Sequence, residues 1–280
     1  MNPRSDFMVL PFALLIVPAA WALAQAPQPD TPVSIYTAGS DVTSPQLLPS
    51  TLPHTYAMGN CRANEDGAIT FSLIVDAAGQ PRNIYFLQPN GDDLDLIALR
   101  EVIGDRFTPG ARAGAPVAIA ASVQITLHAC LAEQKDARGK TQDVLQLVSA
   151  PVQEIKPPVD PPKQAVLVSG TGVSNNPSDP ISDVKKLEPG IAKPVAFPPS
   201  NFALSQGRIL LGPGRYKVSI VVDRYGLPER LKILDAELPG REQQIAAFFR
   251  LFRWNPALKD GAPVPVRVEA TNVGGAGVGR

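Results

Sequence analysis

The sequence predicts an α+β protein made of two small β-β-α-β domains, each an antiparallel sheet with one helix packed on a face. Three observations carry that expectation. Runs that alternate apolar and polar residues, the period of a half-buried strand, occur at Ile69–Val75, Val117–Leu127, Tyr216–Val222 and Val264–Thr271. Between the last two lies an apolar stripe at helical spacing, Ile245, Phe248, Phe249 and Phe252. The pattern also occurs twice, 147 residues apart and without gaps. Asp76, Gly79 and Pro81 match Asp223, Gly226 and Pro228; Arg106 and Pro109 match Arg253 and Pro256; Gly114-Ala115-Pro116-Val117 returns letter for letter as Gly261–Val264. A constant offset marks one supersecondary unit used twice.

The chain has 280 residues, room for about two domains. Its 44 % hydrophobic and 19 % charged content is globular, and its net charge of zero gives no electrostatic case for nucleic acid or an anionic membrane. Its 30 prolines exceed what helices and central strands accommodate, so part of them must lie between the units.

Residues 1–24 read as an export signal. Phe7–Ala24 is almost wholly apolar, and Ala22-Leu23-Ala24 fits a small-residue cleavage site. Cleavage after Ala24 is preferred over Ala26, which would leave Pro27 directly after the scissile bond. The alternative is an uncleaved anchor; the apolar run is about the minimum length for a span, but Pro11 and Pro18 interrupt it.

Residues 25–60 form a leader, partly ordered, with short apolar fragments such as Val33–Tyr36. The first domain, 61–131, opens with a strand carrying Ile69, Phe71, Leu73 and Val75 on one face. It turns at Asp76–Gly79, where glycine takes a positive φ freely, and returns with Ile84 and Phe86. Asp92–Ile103 is expected to be helical, with Leu94, Ile97, Ala98 and Val102 on one side and Asp92 and Asp93 favourable in the first turn. Pro109 and Gly110 stop it. Val117, Ile119, Ala121, Val123, Ile125 and Leu127 then alternate without error.

Cys61 precedes the first strand and Cys130 ends the last. If those strands lie side by side and antiparallel, the two cysteines meet at one end of the sheet, and in an exported protein a pair of cysteines usually forms a disulfide. Closing so long a loop stabilises by about 4 kcal/mol in the chain-entropy model. A zinc site is the poorer reading, because His54 and His128 are the only histidines and lack zinc-finger spacing.

Residues 132–196 read as a Pro-rich linker. Pro157-Pro158 and Pro161-Pro162 favour extended polyproline II, and Val166–Val168 is expected as an isolated strand. The second domain, 197–273, repeats the first, with a helix expected over Glu242–Arg253 and a last strand over Val264–Thr271; the two domains are expected to be joined flexibly. Residues 274–280 are a Gly-rich tail.

No catalytic site and no cofactor are expected. The two histidines support no nucleophilic triad, and no phosphate-binding glycine motif occurs. Asp76 and Asp223 read as turn residues, while Asp92, Asp93 and Asp95 read as a helix start rather than a calcium loop.

In its order of elements the unit resembles the C-terminal domain of the TonB family: an alternating strand, an Asp-x-x-Gly turn (Asp223, Gly226), a return strand (Leu231–Leu234), an amphipathic helix, an aromatic/Arg/Pro stop (Arg253, Trp254, Pro256), a Gly-x-Pro-Val segment and a last strand. The first copy matches over Ile69–Leu127. The resemblance implies a periplasmic interaction module whose partner is the TonB-box peptide of an outer-membrane receptor, added as a strand to an exposed edge; with the N-terminal segment retained in the inner membrane it implies an energy transducer instead. The edge it implies here is Val264, Pro265, Val266, Arg267, Val268 and Glu269. The first unit's last strand, with Ala118, Ala120, Ser122 and Gln124 outward, is expected as a second edge through which copies self-associate.

Overall fold

The computed structural model describes residues 31–49, 61–90, 94–135, 137–149, 154–169, 184–199, 214–237 and 239–274. Residues 1–30, and with them the expected signal and its site at Ala24, lie outside these. Over the described residues the chain is mixed α and β, mostly strand, with two helices, and no helix is long and apolar enough to cross a membrane.

The leader supplies β1 (Val33–Ser34), β2 (Tyr36–Thr37) and β3 (Gln46–Leu47). A hairpin of β4 (Cys61–Val75) and β5 (Pro81–Gln88) is followed by α1 (Leu94–Gly104). Three short strands, β6 (Phe107–Thr108), β7 (Gly110–Arg112) and β8 (Ala115–Val117), lead into β9 (Ile119–Lys135). Then come β10 (Thr141–Ser149), β11 (Glu154–Lys156), β12 (Gln164–Ala165) and β13 (Val195–Phe197). The second half holds β14 (Gly214–Val222), β15 (Pro228–Ala236), α2 (Glu242–Arg250), β16 (Arg253–Asn255), β17 (Ala257–Lys259), β18 (Ala262–Val264) and β19 (Val266–Gly274).

Two sheets dominate, in the orders β10-β9-β4-β5 and β15-β14-β19, and every neighbouring pair in them is antiparallel. α1 places Ala98, Leu99 and Val102 against Ile69, Phe71, Leu73 and Val75 of the first sheet. α2 places Ile245 and Phe249, with Phe252 just past its end, over Tyr216, Val218, Ile220 and Val222. Burying each of the Val, Leu, Ile and Phe side chains among them fully stabilises by about 1.5–3 kcal/mol. α2 ends three residues before the expected Arg253, because Arg253–Asn255 is drawn into pairing with β13.

The residues that recur at 147 are those the backbone requires. Asp76 Oδ1 accepts the N–H groups of Ala78 and Gln80; Asp223 Oδ1 accepts those of Tyr225 and Leu227. Gly79 (φ 76°) and Gly226 (φ 95°) each lie under the chain leaving the helix, and their carbonyls accept the N–H of Phe107 and of Trp254. A Cβ on either would sit 2.0 Å from the Phe107 oxygen or 1.8 Å from that of Trp254. The repeated Gly-Ala-Pro-Val has a similar cause. Ala113-Gly114 and Asp260-Gly261 are two-residue hairpin loops with both φ positive, and Ala115–Val117 or Ala262–Val264 is the returning strand.

Where it is described, the stretch expected as a linker is built into the fold. β9 runs past residue 131 to Lys135 and returns as β10, a full strand of the first sheet. β11 joins the outer side of β9, β12 pairs β1, and β13 pairs β16. The strand expected at Val166–Val168 lies slightly earlier, at Gln164–Ala165, while Val166 O and Val168 N bond the side chain of Asn83. Prolines 157, 158, 161 and 162 form a strap held at both ends by β11 and β12.

Nor are the two units joined flexibly. Tyr225 and Leu227, from the turn of the second unit, are part of the first unit's core. Asn83 Nδ2 donates to Gly261 O as well as to Val166 O, tying the first unit to the strap and to the second unit. Arg253 Nε lies 3.1 Å from Asp95 Oδ2, at 3 % and 0 % side-chain exposure.

The repeated backbone bonding also reaches further than the repeated residues. Tyr36 N–H donates to Ala118 O and Lys185 N–H to Pro265 O; Thr43 N–H donates to Ala111 O and Ala192 N–H to Leu258 O. In both pairs the donors are 149 residues apart and the acceptors 147. Gln46–Leu47 on β6 is matched by Val195–Ala196 on β16. Residues 185–197 thus run along the second unit as 36–48 run along the first.

Candidate functional site

β14 is the centre of the second sheet and β19 one of its edges. Among the described residues the outer side of β19 carries a single bridge, Lys185 to Val266, in which Lys185 N–H reaches Pro265 O at 2.8 Å. That bond shows which way the backbone faces. The Pro265 carbonyl points away from β14, so by strand alternation the N–H and C=O groups of Arg267, Glu269 and Thr271 do as well. Pro265 has no N–H, but the missing donor falls on the outer side and costs the ladder with β14 nothing.

The six residues expected to bind divide into two sets. Val264 ends β18, Val266 is buried opposite Val222, and Val268 is half-buried opposite Ile220; these serve the second core. Pro265, Arg267 and Glu269 turn backbone groups outward. The two charged side chains are exposed on the sheet face away from α2 and engage β14: Arg267 Nη1 donates to Ser219 Oγ at 3.2 Å, and Glu269 Oε2 lies 2.7 Å from Lys217 Nζ. An exposed pair of this kind contributes at most about 1 kcal/mol.

The expected second edge is covered. β9 has β4 on one side; on the other it has β2 in parallel at Ile119 and Ala120, β11 antiparallel at residues 122–124, and β10 antiparallel from Leu127 to Lys135. Ala118 and Ala120, expected outward, are buried with Ile35, Ile74 and Ala165 in a small core of their own, because β1, β2 and β12 cross that face. The expectation that this strand is an open edge is therefore corrected: the chain fills the edge itself.

Cys61 and Cys130 lie on adjacent strands. Cys61 faces Ala132, and Cys130 faces Asn64, across an irregular step in the ladder. Their side chains lie outside the described residues.

The turn that docks the second unit is electrostatically unlike its counterpart. Asp76 is paired with Arg82, Nε to Oδ2 at 2.8 Å, but at Arg82's place the second unit has Glu229. Loss of water at this turn pushes the Asp223 carboxyl up to about 7, against the stabilising N–H groups of Leu227, Tyr225 and Gly226, and the Glu229 charge adds to the rise. Burial raises Glu229 too, opposed by Arg250 and Arg230.

An apolar trench lies between the strap at Pro158–Pro162, Tyr85, Leu87 and Leu258. Its buried polar side chain, Asn83, is already bonded on both its oxygen and its nitrogen. Sequence reasoning missed Asn83 and Asp95. Asp95 has a sufficient local explanation as a first-turn carboxylate, and its partner Arg253 is legible only as a repeat of Arg106.

No family model matches the chain, and neither a curated protein nor a solved structure does.

Proposed function

We propose that this protein is an exported, periplasmic interaction module with two tandem TonB-like β-β-α-β domains, binding an extended peptide of an envelope or outer-membrane receptor partner by strand addition. The observation that carries this reading is the outer side of β19, where Arg267, Glu269 and Thr271 turn backbone N–H and C=O groups away from the sheet. Such groups recruit an incoming strand, whose alternate side chains then set specificity. The first unit supports the reading from inside the molecule, since its corresponding strand already carries β2 and β11. The module acts by binding, without catalysis or cofactor, and a Cys61–Cys130 bridge braces its first domain.

The test is an amide NMR titration of the protein with candidate receptor peptides. Shifts concentrated on β19 are expected; shifts on α2 alone, with β19 silent, would exclude strand addition there.

A further inference from the structure

Resting on that reading, we infer that the β19 edge takes its peptide antiparallel, in a motif of a large aliphatic residue followed by a basic residue and then a proline. The first unit supplies the template. Residues 118–124, leading into β9, correspond to 265–271, leading into β19, and the first backbone bond on each outer side is the same, Tyr36 N–H to Ala118 O and Lys185 N–H to Pro265 O. Next along β9 comes β11, antiparallel, with Glu154 facing Gln124, Ile155 facing Val123 and Lys156 facing Ser122. The residues at those three places on β19 are Thr271, Ala270 and Glu269.

Side-chain chemistry then selects the occupant. Ile155 is partly buried and packs against the first core. Ala270, at Val123's place, is likewise partly buried against the second core, and being smaller than valine it leaves more room for a large aliphatic neighbour. Lys156 faces a serine, whereas its counterpart would face the exposed carboxylate of Glu269, which holds Lys217 through Oε2 and would be shared between the two cations in a cross-strand charge pair. Beyond that point the edge is taken by Lys185 at Val266, so the peptide must leave the sheet. β11 does so at Pro157-Pro158, and a proline after the basic residue has the same effect.

The probe is a synthetic peptide of residues 152–158, Val-Gln-Glu-Ile-Lys-Pro-Pro, added to the isotope-labelled full-length protein, with a nitroxide at one end or the other. Amide shifts are expected at residues 269–271. The N-terminal label should broaden resonances from Thr271 toward Gly274, and the C-terminal label those of Val266–Val268. Changing the peptide's Ile to Asp should abolish the shifts. Changing its Lys to Glu should weaken binding up to about fivefold, with Glu269→Lys in the protein restoring it. Reversed broadening, or undiminished binding by the Asp peptide, overturns the motif and orientation while leaving strand addition standing. Silence of β19 toward this peptide also overturns them, and the receptor-peptide titration decides separately whether strand addition falls too. A concentration-dependent dimer that blocks the peptide would identify a second copy as the occupant and overturn the inference.

Discussion

Arg253 of β16 and Asp95 of α1 form an ion pair at 3.1 Å, both buried, and thereby join the helix of the first unit to the chain that leaves the helix of the second. Asp95 also accepts the N–H of Asn90 through its other oxygen at 2.7 Å, and Arg253 donates through Nη1 to the carbonyls of Arg250 and Phe252. Each charge is therefore placed by its own unit and neutralised by the other.

Asp95→Ala or Arg253→Ala should each cost about 3–5 kcal/mol, because the remaining charge is left buried without its partner. The double variant Asp95→Leu/Arg253→Met should cost clearly less than either. Denaturant unfolding followed separately in the two units should show one shared transition for the natural protein. Two separated transitions would mean that the pair does not couple the units.

Gly226→Ala and Gly114→Ala make an internal comparison. Both glycines have positive φ, which costs an alanine about 1–2 kcal/mol. A Cβ at 114 meets open space, whereas at 226 it would lie 1.8 Å from the Trp254 carbonyl oxygen, a backbone atom that cannot swing aside. The 226 variant should therefore lose at least about 2 kcal/mol more than the 114 variant in thermal unfolding, a difference set by overpacking. Equal losses would contradict the close approach of this turn to β16.

If Cys61 and Cys130 form the proposed bridge, the protein purified from an oxidising compartment has no free thiol, and reduction lowers its unfolding midpoint. The ladder puts the two residues on neighbouring strands, Cys61 opposite Ala132 and so two positions along β9 from Cys130, and the irregular step between Cys61 and Asn64 must close that offset for the bridge to form. Two titratable thiols in the unreduced protein would refute the bridge.

How much was legible in the sequence depends on what each residue is required to do. Asp76, Gly79 and Gly114 were legible, with their partners 147 residues on, because a turn that needs a side-chain acceptor or a positive φ admits few residue types. The alternation that identified β19 was legible for a similar reason: Val266 and Val268 must face the core. The repeat of 36–48 in 185–197 was not, since its equivalent residues, Tyr36 with Lys185 and Thr43 with Ala192, act through backbone N–H groups that any residue but proline offers. The same blindness hid the covering of β9. β10 precedes and β11 adjoins a proline-rich stretch whose composition signals a linker, while their pairing depends on β9 being long enough to receive them.

The last prediction concerns pH. Asp223 titrates near 7 in the folded protein, against 3.8 for its ordinary value, which the unfolded chain is taken to keep. Between about 4 and 7 the folded state therefore binds a proton that the unfolded state has released, and stability must fall as pH rises through that window. The raised Glu229 carboxyl adds a slope of the same sign. Asp223→Asn keeps the oxygen that accepts the Tyr225 and Leu227 N–H groups but removes the charge, so it should flatten the dependence and stabilise the protein most at pH 7 and above. Restoring the first unit's arrangement with Glu229→Arg should also raise stability at neutral pH, by offering Asp223 the cation that Arg82 offers Asp76. Unfolding curves between pH 4 and 8 measure both effects; a natural protein whose stability rises steadily over that range would contradict the raised Asp223.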